Sequence, residues 1–341
     1  MSLSQVGYIA RKILRLKPYS ICRIAERRLN GLWRRWKNPQ RQTSYGTENR
    51  DKTFYVIGLE YIPATGLTWL IFFIFLHIIY AARRGYIPVV DMQNFENKFL
   101  DKKLLHKQNA WEYFFTQPAG YTLTDIASSQ NIILSSPSHF RPARESIGPC
   151  LLDRANKKKL LYFRKLFQKY IRPTAETQKY FDNEYKSLLK NKPKVLGVLC
   201  RGTDYLLSRP PGHQIQPEPR SVLSKAREVM ARQKCSHLYL ATEDQDIYDL
   251  FKANFGSRLL ANKQRRVSLR QTKNARGRLI HQFLPLSAQG KYAMNLAYFS
   301  SLNMLARCSC FVGGRTGGTL AVYLMTKGFD YEYTWDLGAY S

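Results

Sequence analysis

The sequence predicts an α/β protein with parallel sheets, organised in two domains. From Lys194 onward, short apolar runs alternate with stretches of helical period, the pattern of a parallel sheet with crossover helices. An earlier stretch, Phe54 to Val90, reads strand, glycine-containing loop, helix, strand. A chain of 341 residues also exceeds what one small core usually organises.

Taken in order, residues 1–50 form a basic N-terminal segment with Val6, Ile9, Ile13, Leu14, then Ile21, Ile24 and Leu29, on one face of helices interrupted at Pro18. Two readings fit it: a helix on an anionic membrane surface, or a helix docked on its own domain with a solvated charged face. Phe54 to Ile57 is a β-branched and aromatic strand, and a loop with Gly58, Pro63 and Gly66 follows. Leu67 to Ala82 is a run of about sixteen apolar residues ending at Arg83-Arg84-Gly85. A bilayer core requires roughly 20 such residues, so a buried crossover helix is expected rather than a membrane span. Ile87 to Val90 is the second strand, "NIILSS" a third, and Lys157 to Lys190 a long polar helix. The second half gives strand Val195 to Leu199, helix Ser221 to Gln233, strand His237 to Ala241 and helix Asp246 to Phe255. After a basic, polar insertion at 257–290 come helix Leu296 to Ala306, strand Cys310 to Gly313 and helix Leu320 to Lys327.

The hydrophobic fraction of 44% and aromatic fraction of 13% are those of a globular protein. The charge is less ordinary: 54 Lys plus Arg against 24 Asp plus Glu give +30 and a pI near 10.0. Such a field attracts phosphate esters, nucleic acid and anionic lipid alike. The cysteines (Cys22, Cys150, Cys200, Cys235, Cys308, Cys310) include no C-x-x-C pair, which disfavours zinc and redox motifs and fits a reduced, cytoplasmic chain. No apolar leader is visible, so secretion is not expected.

In open α/β sheets, ligands bind beyond the carboxyl ends of the strands. Three such ends carry reactive residue types: "VLCRGTDY", "LYLATEDQD" and "CFVGGRTGGT". In the last, Gly313, Gly314, Gly317 and Gly318 allow close approach to the main chain, Thr316 and Thr319 add hydroxyls, and the following helix aims its N–H groups at an anion. Arg315 adds a guanidinium fork. It is neither a Walker A loop nor a dinucleotide fingerprint, and a plain tight turn is the structural alternative. Arg201 stands where it reaches the same anion from the other side, its alternative being a surface strand-end arginine. Glu243 and Asp244 are acceptors for base or ribose donors, with helix N-capping as the alternative for Asp244. The three ends together suggest a nucleoside diphosphate site. The neighbouring acids are consecutive rather than spaced to converge, so no metal is expected.

"RGTDY", "GHQIQP", "LYLATED" and "NMLARCSCFVGGRTGGT" resemble the fucosyltransferase superfamily, which joins the α1,6-, nodulation and protein O-fucosyltransferases, with bacterial polysaccharide-biosynthesis members most similar. The resemblance implies a GT-B-like arrangement: a Rossmann-like acceptor-side domain (51–190) and a Rossmann-like sugar-nucleotide-binding domain (191–341). It implies an inverting, metal-independent transfer of a sugar from a nucleotide sugar, GDP-fucose, to a saccharide or lipid-linked glycan acceptor in surface polysaccharide or glycan synthesis. Arg201 matches the arginine on the donor diphosphate, Glu243 the acid facing guanine, and Thr316 and its neighbours the phosphate loop. Gly202, Thr203, His213 and Asp244 complete the donor-side set, and Asp91 and Tyr205 lie on the acceptor side. Leu199 and Gly202 stand where the family often has a histidine and a second arginine. The family's basic glutamate falls near Arg209, so the catalytic base is assigned to Asp204, with Asp91 second.

No cofactor beyond the donor is expected. The implied location is cytoplasmic, or peripheral on the inner face of the membrane through residues 1–50. Two readings compete: a polyanion or nucleic-acid binder, and a non-catalytic sugar-nucleotide binder. Basic residues interleaved with stacking aromatics on one face would mark a single-strand binder, and no such module is found, so no specific nucleic acid is expected.

Overall fold

Residues on the central strands alternate between two cores, and this alternation sets the layers. The computed structural model describes residues 40–58, 66–95, 97, 99, 102–135, 147–202, 209, 212–268 and 288–340. The first sheet contains β1 (Arg41–Thr43), β2 (Glu48–Gly58), β3 (Ile87–Asp91) and β4 (Ser129–Leu134), in the order β1-β4-β2-β3. β2 pairs in parallel with β3, through the crossover helix α1 (Leu67–Ala82), and in parallel with β4. β1 is an antiparallel edge strand on β4. Tyr55 and Ile57 of β2 face α1, whereas Phe54 and Val56 face a small core with Val89, Ile126 and Ile132.

Two helices lead to the second sheet, α2 (Lys157–Tyr170) and α3 (Ala175–Leu188). The single helix expected from Lys157 to Lys190 is therefore corrected to two. Pro173 lacks an N–H and cannot continue the helix. At the break, Thr116 N donates to Arg172 O and Thr174 N to Phe114 O, while the Thr174 hydroxyl caps α3 by accepting from Thr177 N at 3.2 Å. The expectation of a helical segment through residue 50 is corrected likewise: residues 41–43 and 48–50 are strand. Residues 1–39, with the membrane contact assigned to them, lie outside the described residues.

The second sheet is wholly parallel, with order β7-β6-β5-β8-β9. Its strands are β5 (Val195–Leu199), β6 (His237–Ala241), β7 (Leu259–Leu260), β8 (Cys310–Gly314) and β9 (Tyr331–Trp335). The helices are α4 (Pro219–Arg232), α5 (Gln245–Phe255), α6 (Ala288–Ala306) and α7 (Gly317–Met325). Leu196 and Val198 of β5, Leu238 and Leu240 of β6, and Cys310 and Val312 of β8 face the core formed with α4 and α5. Val195, Leu199, Tyr239 and Phe311 face the other way, toward α6 and α7. That second core is continuous with the one under the first sheet. α1 sits inside it, as its nearly uniform apolar sequence requires: Phe75, fully buried, meets Phe163 and Phe167 of α2 edge-on with centroids at 6.2 and 5.3 Å. Among the described residues, no helix is long and apolar enough to cross a membrane.

Both sheets reverse their strand order. The chain leaves β5 toward β6 on one side and returns through α6 to β8 on the other, so β5 and β8 flank a switch point. β2 and β4 flank the corresponding point of the first sheet, where the Ser135 hydroxyl bonds both Gly58 N and Gly58 O.

Candidate active site

Arg201 and Gly202 come two and three residues past the end of β5, Glu243 and Asp244 two and three past the end of β6, and Leu199 pairs in register with Ala241, so adjacent parallel strands deliver them to the same edge. Arg201 Nη1 lies 3.2 Å from Glu243 Oε2, with both side chains largely buried. Glu243 Oε1 accepts from Gly202 N at 2.9 Å. The guanidinium is thus positioned by its neighbour, and a partly desolvated pair of this kind costs energy to separate. The Glu243 carbonyl accepts from Val267 N, and Gln245 N donates to Val267 O, which fixes the turn from behind.

Asp244 takes the capping role that was the alternative for it. It is almost fully buried, its Oδ1 accepts from Ile247 N at 3.1 Å at the start of α5, and its Oδ2 packs on the Cα of Gly202. A side chain at Gly202 would collide with it, so the position requires glycine. Cys200, next to Arg201, is buried, and burial together with Glu243 pushes its thiol well above the ordinary range, so it is no nucleophile at neutral pH.

Across the switch point, β8 ends at Gly314 and α7 begins at Gly317. Thr316 is the N-cap: its hydroxyl accepts from Thr319 N at 3.0 Å, and the Thr319 hydroxyl donates to Gly314 O. Both hydroxyls therefore shape the loop. The first-turn amides of Gly317 and Gly318 have no intrahelical acceptor and carry the positive end of the helix dipole. Gly317 also meets the first turn of α1, where a Cβ would stand 3.1 Å from Thr68 Oγ1 and 3.3 Å from Trp69 Nε1. Two helix N-termini, one from each sheet, thus converge at one place.

Arg315 is differently placed from the sequence expectation. Its Nη1 contacts Asp153 Oδ1 at 2.6 Å and Asp336 Oδ2 at 2.7 Å. The guanidinium clasps the loop between the segment before α2 and the chain after β9, and two carboxylates already balance its charge. Gln216 completes the loop: its Nε2 donates to Arg315 O at 3.1 Å and to Gln214 O at 3.0 Å, while its Oε1 lies buried against Gly314. Sequence reading missed Asp153, Gln216 and Asp336 in these roles. The only signal was the second glutamine of "HQIQP".

His213 is exposed on a short pairing of residues 212–215 with 338–340, where its carbonyl accepts from Tyr340 N. Asp91 ends β3, and its carboxylate is filled by its own turn: Oδ1 accepts from Gln93 N and Asn94 N, and Oδ2 from Asn94 Nδ2. Thr203, Asp204 and Tyr205 lie outside the described residues. Among the described residues, no group of three or more His, Cys, Asp or Glu side chains is arranged to hold a metal ion.

No protein-family model matches this chain. A search of curated proteins likewise finds none. Solved structures do align with it. The chain is similar to the fucosyltransferase NodZ from Bradyrhizobium, at 16% identity over 81% of this chain and 94% of that one, with a TM-score of 0.45. It is similar to a mutant of Arabidopsis thaliana FUT1 in complex with GDP, at 10% identity over 90% of this chain and 74% of the other, TM-score 0.45. POFUT1 in complex with GDP-fucose aligns at 11% identity over 85% and 99% of the two chains, TM-score 0.47. Superpositions this loose leave the chemistry to be argued from the residues themselves.

Proposed function

We propose that this chain is a glycosyltransferase of fucosyltransferase-like kind, moving fucose from GDP-fucose to a hydroxyl of a saccharide or lipid-linked glycan acceptor in glycan synthesis. The observation that carries the reading is the switch point between β5 and β8. Arg201 closes one side of it, the amide-bearing start of α7 the other, and the start of α1 faces them from the first sheet. A diphosphate fits that arrangement: backbone donors and helix dipoles for its oxygens, and a held guanidinium for its charge. The choice of GDP-fucose follows the sequence resemblance.

The reaction is a direct displacement with inversion and without metal. The acceptor oxygen forms a bond to the anomeric carbon as the bond from that carbon to the diphosphate oxygen breaks, and the departing charge is stabilised by Arg201 and the α7 amides. The acceptor proton passes to a carboxylate, for which Asp204 is the candidate, since Asp91 already accepts three hydrogen bonds from its own turn. Glu243 is proposed to face the base while it holds Arg201. We place the enzyme in the cytoplasm, in keeping with the free thiols of Cys150, Cys200, Cys235, Cys308 and Cys310.

Thermal unfolding with GDP, UDP and CDP tests the donor site. A ligand at a hundredfold excess over its Kd adds about 2.7 kcal/mol of stability, so GDP should raise Tm by a few degrees and the pyrimidine nucleotides should not. Turnover of GDP-fucose with saccharide acceptors in EDTA tests the reaction, and Asp204→Asn should reduce kcat with little change in GDP affinity. Equal stabilisation by all three nucleotides, or none by GDP, refutes the donor reading.

A further inference from the structure

Residues 154–172, "RANKKKLLYFRKLFQKYIR", contain eight Lys and Arg and no Asp or Glu. Most of this stretch is α2, and the helix divides its residues sharply. Leu160, Phe163 and Phe167 enter the core, and Arg164 turns inward, its Nε donating to Tyr323 O at 2.8 Å. Arg154, Lys157, Lys158, Lys159, Lys165, Lys169 and Arg172 are exposed.

Lys158, Lys165 and Lys169 recur at spacings of seven and four, which places them in one stripe along the helix, and Arg172 follows just past its end. In the middle of the stripe stand Leu161 and Tyr162, each 42% exposed and among the few large hydrophobic side chains the fold leaves outside. The end of α1 adds to the same face: Arg83 donates from Nη2 to Tyr162 Oη at 2.7 Å, and Arg84 beside it covers the Tyr80 ring at 3.9 Å. Asp153, the acid nearest in sequence on the N-terminal side, is engaged by Arg315. Among the described residues, Lys157, Lys158, Lys159, Lys165, Lys169 and Arg172 make no ion pair.

We propose that the exposed stripe of α2, with Arg83 and Arg84, docks the protein on a bilayer rich in anionic phospholipid. The charge complementarity is direct, because a polybasic face gains from the negative potential of such a bilayer. The exposed apolar pair favours a bilayer over nucleic acid. Leu161 has nothing to gain at a phosphate backbone, whereas a leucine and a tyrosine at the level of the headgroups bury apolar area and keep the phenol wet. A stacking platform for bases would need several rings in a row, and this stripe presents Tyr162 alone. The inward face of α2 is committed to the core, so the helix lies against the surface rather than entering it. This surface is formed by the body of the fold, and the proposal holds whatever the chain transfers.

The test uses the full chain and co-sedimentation with phosphatidylcholine vesicles made with or without phosphatidylglycerol. Each cation at such a surface contributes on the order of fivefold in partition, so neutralising Lys158, Lys165 and Lys169 together should lower binding to the anionic vesicles on the order of a hundredfold, and Lys158→Glu, Lys165→Glu and Lys169→Glu, which reverse the three charges, should lower it further. Leu161→Ser with Tyr162→Ser should lower it severalfold at unchanged charge. Circular dichroism checks that each variant folds, and Lys→Gln at the same three positions gives a milder version of the same readout. Three results overturn the proposal: no binding of the parent chain to anionic vesicles, parental binding by the charge variants, or loss of binding to an RNA homopolymer while vesicle binding persists.

Discussion

Replacing Arg201 by alanine should do two separable things, and the geometry gives a size to each. The first concerns the ligand-free fold. At 3.2 Å, with an effective dielectric constant of roughly 20, the gross attraction to Glu243 is about 5 kcal/mol. Desolvation of both groups offsets much of this, and Glu243 keeps its bond from Gly202 N, so the variant should lose about 1–3 kcal/mol of stability. The second concerns the ligand. A charged hydrogen bond to a diphosphate contributes about 1.5–3 kcal/mol, roughly a 10- to 150-fold loss of GDP affinity. Glu243, left without its cation beside an anionic ligand, should push the loss to the upper end. A double-mutant cycle with Glu243→Gln separates the two, with urea unfolding for stability and calorimetric titration for GDP. The double variant should recover part of the stability that Arg201→Ala loses, because the unpaired buried charge is gone, and should recover little of the affinity. Undiminished GDP binding by Arg201→Ala would refute the diphosphate assignment, and strictly additive stabilities would refute the pairing.

Three further expectations come from the packing. Thr316→Ala removes the cap of α7 and should cost about 1 kcal/mol, together with a loss of GDP affinity that Thr316→Ser restores, since serine keeps the oxygen that accepts from Thr319 N. Phe75→Ala, at a fully buried position between α1 and α2, should cost about 3–5 kcal/mol in urea unfolding. Glu184 on α3 accepts from the Ser300 hydroxyl, and burial raises its carboxyl above the ordinary glutamate value of 4.5. The folded state then holds this proton more tightly than the unfolded one, so the contribution of Glu184 to stability falls as pH rises above about 4.5 through its folded value. Glu184→Gln should therefore gain stability relative to the parent as pH rises from below about 4.5, as urea unfolding at a series of pH values would show.

The strands that the sequence reveals to the residue, β5 and β6, are buried on both faces, and continuous burial demands continuous apolar sequence. α1 is legible for the same reason. β9, "YEYTW", escapes notice because an edge strand alternates half-buried aromatics with polar residues and carries no apolar run. β1 and β7, three and two residues long, are set by their partners rather than by their own composition. The break at Pro173 is local and could have been read from the proline alone. In the site, residues adjacent in sequence were placed correctly at the strand ends, because parallel topology brings such ends together. The partners of Arg315 were not legible, since Asp153 stands 162 positions earlier and Asp336 21 later, and no local pattern joins them.

That clasp bears on how the chain matures. The glycine-rich turn takes its shape from a carboxylate that precedes the second sheet and from another that follows it, and its first amides face a helix of the first sheet. A ribosome releasing this chain would have synthesised the Arg201 side of the pocket and its sheet neighbour well before Asp336 emerged. Donor-binding competence should accordingly arrive only after Asp336 has emerged, and Asp336→Ala should leave the strands of the second sheet paired and the turn held by Asp153 alone.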